Sequence, residues 1–121
     1  MKAKNLFVSV VAAAGCVFGA SALAHTKLES SMPQANAVVA PPPTQVRLQF
    51  SDPLELAFSK VKLVDEKGAV VLPSKIAVDG ANPKALVATV PALRSGAYRV
   101  QWSTVTRDGH KVKGEFAFRV K

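Results

Sequence analysis

Four stretches of this chain alternate apolar and polar residues with a period of two, and that pattern limits the fold more than any other feature. Val46, Leu48 and Phe50 alternate with Gln45, Arg47 and Gln49; Val61 and Leu63 with Lys60 and Lys62; Tyr98, Val100 and Trp102 with Arg99, Gln101 and Ser103; Phe116, Phe118 and Val120 with Glu115 and Arg119. Successive side chains of a strand leave on opposite faces, so each stretch offers one face to a core and one to water. Downstream of residue 24, no segment of more than ten residues carries a helical stripe. Shorter apolar runs at Val70 to Leu72, Ile76 to Val78 and Leu86 to Val90, with Thr26 to Ser30 as a first strand, bring the total to about seven or eight strands. Breakers separate them: Pro41-Pro42-Pro43, Asp52-Pro53, Asp79-Gly80, Asn82-Pro83, Ser95-Gly96 and Asp108-Gly109, with Asp65-Glu66-Lys67-Gly68 reading as a hairpin turn. The expectation is an all-β chain folded as a two-sheet sandwich or Greek-key barrel.

The first 24 residues read as an export signal. Lys2 and Lys4 form a basic start, Leu6 to Phe18 an apolar segment, and Ala22-Leu23-Ala24 a small-x-small cleavage pattern. The apolar segment falls short of the roughly 20 residues that span a bilayer. Cleavage after Ala24 leaves residues 25–121, a length that suits one domain with one core. Cys16 lies within the signal, so the mature domain has no cysteine, which favours a bacterial periplasm over a disulfide-dense extracellular scaffold. A competing reading takes Ala13-Ala14-Gly15-Cys16 as a lipoprotein cleavage box, although the usual leucine is missing.

The chain carries 16 basic and 8 acidic residues, and removing Lys2 and Lys4 leaves the mature form near +6. Such a balance suits nucleic acid or an anionic membrane surface. The basic residues are scattered among strand-like segments, however, with one Trp, one Tyr and no basic helix, so no nucleic-acid partner is expected. The excess charge reads as the solvated surface of a soluble monomer.

The same cleavage makes His25 the mature N-terminus. A terminal histidine offers a metal its free α-amine and its imidazole from one residue, and Cu(II) favours nitrogen donors near a square plane. The second histidine of the chain lies in Asp108-Gly109-His110. If the strand continued through Gly109, Asp108 and His110 would project together; if Asp-Gly makes a turn, that argument weakens. From the residues alone, two exposed histidines and an ordinary Asp-Gly turn stand level with a metal site of His25, Asp108 and His110.

Several blocks resemble the periplasmic copper-resistance CopC family: His25-Thr-Lys-Leu-Glu-Ser-Ser-Met-Pro, Val46-Arg-Leu-Gln-Phe-Ser-Asp-Pro-Leu, Gly96-Ala-Tyr-Arg-Val-Gln-Trp, Thr106-Arg-Asp-Gly-His and Gly114-Glu-Phe-Ala-Phe-Arg-Val. They cover nearly the whole mature chain in order. The resemblance implies an immunoglobulin-like, cupredoxin-like β-sandwich holding one Cu(II) per chain through His25, Asp108 and His110. It also implies copper handover to an inner-membrane transporter of the CopD type. Asp52 falls where some members carry an acidic residue near the copper, and reads equally as an Asp-Pro turn former. Founding members carry a methionine-rich loop for Cu(I), whereas the mature chain has only Met32, and a single thioether cannot make such a site. A Cu(II)-only member is therefore expected, with Met32 packing at the end of the first strand and Trp102 packing within the sandwich.

The function that follows is a non-catalytic copper carrier or buffer. No nucleophile with a histidine base, carboxylate pair or phosphate-binding glycine loop stands in the chain. Two alternatives share parts of the pattern. A histidine-brace oxidative enzyme needs the same ligands with an open coordination position and an aromatic substrate surface, and an immunoglobulin-like interaction module needs no metal.

Overall fold

The computed structural model describes residues 27–121. The proposed signal segment and His25 lie outside the described residues. Nine strands follow in order: β1 Leu28–Met32, β2 Val38–Val39, β3 Gln45–Phe50, β4 Lys60–Asp65, β5 Val70–Val71, β6 Lys75–Asp79, β7 Asn82–Thr89, β8 Gly96–Val105 and β9 Lys111–Val120. They form two sheets, one of order β1-β3-β7-β6 and one of order β2-β9-β8-β4-β5. The hairpins β4–β5, β6–β7 and β8–β9 alternate between the sheets, and β4 lies beside β8, the crossing order of a Greek-key sandwich.

The four alternating stretches become β3, β4, β8 and β9, and their apolar faces meet between the sheets. Val46, Leu48 and Phe50 of β3, Leu63 of β4, Leu86 of β7 and Val100 of β8 are fully buried. Each such side chain contributes about 1.5–3 kcal/mol by leaving water. Trp102 is buried as expected, its ring edge-on to Phe50 at 5.0 Å. It also lies over Gly114, its cross-strand partner on β9. The Tyr98 ring stacks on Phe118 at 5.7 Å while its hydroxyl donates to the Arg94 carbonyl at 2.8 Å, tying the β7–β8 crossover to the core.

Asp65 organises the expected β4–β5 turn. Its Oδ1 accepts from the Lys67 and Ala69 N–H groups at 2.9 and 2.8 Å, and Gly68 takes a φ of 87°, which only glycine adopts freely.

Several boundaries differ from the sequence pattern. The first strand runs from Leu28 to Met32, two residues later than expected. β2 pairs parallel to β9 over only two residues, too few to show alternation. Asn82-Pro83, read as a breaker, opens β7 instead. Pairing with β3 reaches only Ala85, so the missing N–H of Pro83 breaks no bond of that ladder. Met32 does not pack in the core. Ser31 faces Leu48 and Met32 faces Arg47, so the pleat turns the methionine outward and leaves it 64% exposed.

Candidate metal centre

One end of the sandwich gathers the residues singled out above. At the start of β1, the Lys27 N–H donates to Ser51 Oγ at 3.0 Å and the Ser51 N–H donates to the Lys27 carbonyl at 3.0 Å. The chain then passes Asp52 and forms an isolated antiparallel bridge between Leu54 and Thr106. The Glu55 N–H donates to the Val105 carbonyl at 3.0 Å, and a single 3₁₀ turn follows at Leu56–Phe58. Beneath it, Ser59 donates to the Glu55 carbonyl at 2.8 Å and meets the buried Thr104 hydroxyl at 2.7 Å. The 51–59 segment is thereby fixed to the end of β8, where the β8–β9 hairpin begins. Arg107 Nε adds an ion pair to Glu55 Oε2 at 3.6 Å.

The hairpin decides between the two alternatives left open for Asp108-Gly109. Strand geometry does not continue through Gly109; residues 106–109 turn, with the Gly109 N–H donating to the Thr106 carbonyl at 2.9 Å and Gly109 at a φ of 91°. Asp108 and His110 nevertheless come together, because the turn folds them onto each other: His110 Nδ1 and Asp108 Oδ2 are 3.0 Å apart. That separation is a hydrogen bond between the imidazole and the carboxylate, which fixes the ring of His110 beside Asp108.

Thr106 is the residue that sequence reasoning missed. Its side chain is buried, and its hydroxyl donates to Asp108 Oδ1 while accepting from the His110 N–H at 3.3 Å. The Thr106 hydroxyl first, and the His110 imidazole second, hold the Asp108 carboxyl down at about 2, below its ordinary 3.8. Asp108 is therefore an anion wherever an imidazole is neutral enough to bind a metal. The signal for this role was present in Thr106-Arg-Asp-Gly-His: a hydroxyl two residues before an Asp-Gly turn commonly bonds to the turn.

Asp52 accepts from its neighbour Ser51 Oγ at 3.1 Å, on the segment beside the hairpin. Among the described residues, no three His, Cys, Asp or Glu side chains converge as a metal cluster. The hairpin brings two of the expected donor residues, Asp108 and His110, together, and the third, His25, lies outside the described residues. A groove of about 850 Å³ opens elsewhere, lined by Lys60, Lys62, Leu72, Pro73, Gln101 and Lys113 among others, and touches neither Asp108 nor His110. No helix among the described residues is long and apolar enough to cross a membrane.

Comparison with known proteins decides the lineage. A family model for the CopC domain matches residues 28–121. The chain belongs to the CopC family. Copper resistance protein C of Escherichia coli is 38% identical over 118 residues, covering 88% of this chain and 91% of the relative. The crystal structure of CopC from Methylosinus trichosporium OB3b aligns with a TM-score of 0.75 at 31% identity, over 80% of this chain and 94% of that one. PcoC of Escherichia coli, described as a methionine-rich copper resistance protein, aligns at 0.69 and 38% identity, over 81% of this chain and all of PcoC. This CopC-family chain therefore has a β-sandwich fold and a copper-related function. It differs from the methionine-rich relative in holding only two methionines, Met1 and Met32.

Proposed function

We propose that the mature protein begins at His25 and carries or buffers one Cu(II) ion in the periplasm. His25 binds through its α-amine and imidazole, and Asp108 and His110 complete the donor set. The observation that supports this most is the tethering of Lys27 to Ser51 next to the Leu54–Thr106 bridge. It starts β1 at the same end of the sandwich as the Asp108–His110 pair. Two extended residues span about 7 Å, a length that would let a mature N-terminus at His25 reach Ser51 and its neighbours. Asp108 contributes a charge that acid cannot readily remove. Asp52, on the adjoining segment, supports the site from outside the donor set.

With the available positions taken by chelating groups, the protein stores and hands over copper without turnover, and an inner-membrane transporter of the CopD type is the recipient. An oxidative enzyme acting on a polysaccharide would need an aromatic platform beside the metal. Phe50, Tyr98, Trp102 and Phe118 are buried, and among the described residues only Phe58 of the aromatic side chains is strongly exposed, at 61%. Intact mass of the exported protein followed by a Cu(II) titration tests the reading. A mass beginning at His25 with one tight equivalent, abolished in His110→Ala, is expected; a mass retaining residues before His25 with undiminished binding refutes it.

A further inference from the structure

The strand register does something to the charge that the linear sequence hides. Fourteen basic and eight acidic residues leave residues 27–121 at +6. In the five-stranded sheet, Lys60 and Lys62 alternate with buried Val61 and Leu63, Arg99 stands between Tyr98 and Val100, and Arg119 between Phe118 and Val120. The pairings Lys60↔Ser103↔Lys113, Lys62↔Gln101↔Glu115 and Val105↔Lys111 carry the same parity across the sheet. Lys60, Lys62, Arg99, Lys111, Lys113 and Arg119 therefore all leave from the outward face, and all are exposed. Glu115, 3.8 Å from Arg99, is the one carboxylate among them. This single face holds five of the net six positive charges. The outward face of the other sheet sets Arg47 against Asp79 at 2.8 Å and is otherwise mainly neutral.

The edge of the same face is apolar. Val70 pairs with outward-facing Val64 and is 53% exposed, and Leu72, two residues on, is 67% exposed. Leu72 and Pro73 form one wall of the 850 Å³ groove whose other walls include Lys60, Lys62 and Lys113.

We propose that this face docks on an anionic phospholipid bilayer, its lysines and arginines on the headgroups and Val70 and Leu72 in the interface below them. Strands about 4.8 Å apart with outward residues about 7 Å apart present the cations as a broad array, which matches a sheet of lipid phosphates. Basic side chains with a few aliphatic residues at one margin are the composition that holds proteins at a membrane surface. Nucleic acid fits worse: Tyr98, Trp102, Phe116 and Phe118 all turn inward, so these strands offer no aromatic ring for a base to stack on. A protein partner fits worse too, because such interfaces centre on apolar anchors, and here the aliphatics stand only at the edge. The inference is independent of copper.

Co-sedimentation of the mature protein with phosphatidylcholine vesicles, with and without phosphatidylglycerol, tests it. Binding should require phosphatidylglycerol and weaken with salt. Near an anionic surface each cation is worth about fivefold in binding, so Lys60→Gln/Lys62→Gln/Lys113→Gln should lose about a hundredfold. The control triple Lys67→Gln/Lys75→Gln/Lys84→Gln, with the same net charge, should lose far less. Val70→Ser/Leu72→Ser should weaken vesicle binding yet leave retention on double-stranded DNA unchanged. Unfolding midpoints of all variants verify that they fold. Equal losses in the two triples, binding without phosphatidylglycerol, undiminished binding of the serine variant, or DNA bound as tightly as vesicles would each overturn the assignment.

Discussion

Gly114→Ala is expected to destabilise the sandwich, for a reason that can be worked through atom by atom. Gly114 pairs with Trp102 across the β8–β9 ladder, and a Cβ built there would stand 2.7 Å from Trp102 Cζ2 and 3.1 Å from Cε2. Carbon atoms in favourable contact are separated by about 3.5–4.0 Å, so the indole must retreat by about 0.8 Å. On one side its retreat is blocked by Phe50, which lies edge-on to it at 5.0 Å and is itself fully buried. Forcing a methyl group into such a core costs about 1–3 kcal/mol. Replacing glycine returns roughly 0.5 kcal/mol by restricting the unfolded chain. A net loss of about 1–2 kcal/mol lowers Tm by roughly 4–16 °C in a domain of this size. Trp102 is the only tryptophan of the chain, so its fluorescence during thermal and urea unfolding reports the change directly. A variant with unchanged or raised Tm would show that the ring moves freely and that the Trp102–Gly114 contact does not set the sheet packing.

Other expectations concern the hairpin and its surroundings. Thr106→Val removes the hydroxyl that holds the Asp108 carboxyl at about 2, and carboxyl NMR titration should find its pKa raised towards 3.8. Because that folded pKa lies below the ordinary value, the ionised carboxylate stabilises the wild-type fold above about pH 3.8, and this contribution is lost as pH falls through about 2. Acid unfolding of Thr106→Val should show a weaker dependence, since the His110 imidazole still holds the carboxyl down, and an identical acid profile would contradict the assignment. Tyr98→Phe deletes the 2.8 Å bond to the Arg94 carbonyl and should cost about 1 kcal/mol in chemical denaturation, with no effect on copper. Met32→Gln should leave stability and Cu(II) binding unchanged, since the side chain is exposed; a weakened Cu(II) titration would make the thioether a ligand.

The fold was legible where burial is one-sided. Val46, Leu48 and Phe50, or Tyr98, Val100 and Trp102, alternate because one face of each strand is dry, and period two is then the only pattern that satisfies both faces. Alternation fails as a guide at the edges: β2 and β5 are two residues long, and Met32 occupies an edge-strand position where either face is tolerated. Asp108 and His110 were legible as residue types but not as geometry. Their approach comes from the positive φ of Gly109 and from the buried Thr106 hydroxyl, neither of which a strand argument contains. The basic face was invisible for a related reason. Cations on three separate strands become neighbours only when the β4–β8–β9 register is known.

The central claim is that His25 binds copper through its own α-amine, and one added residue tests it. Mature protein carrying a single glycine ahead of His25 keeps both imidazoles and the Asp108–His110 hairpin but converts the amine into an amide. Cu(II) affinity measured by competition with a chelator, together with the electron paramagnetic resonance spectrum, should show much weaker binding and a changed donor set. Wild-type affinity with an unchanged spectrum would contradict the account, leaving the sandwich intact and the copper site elsewhere.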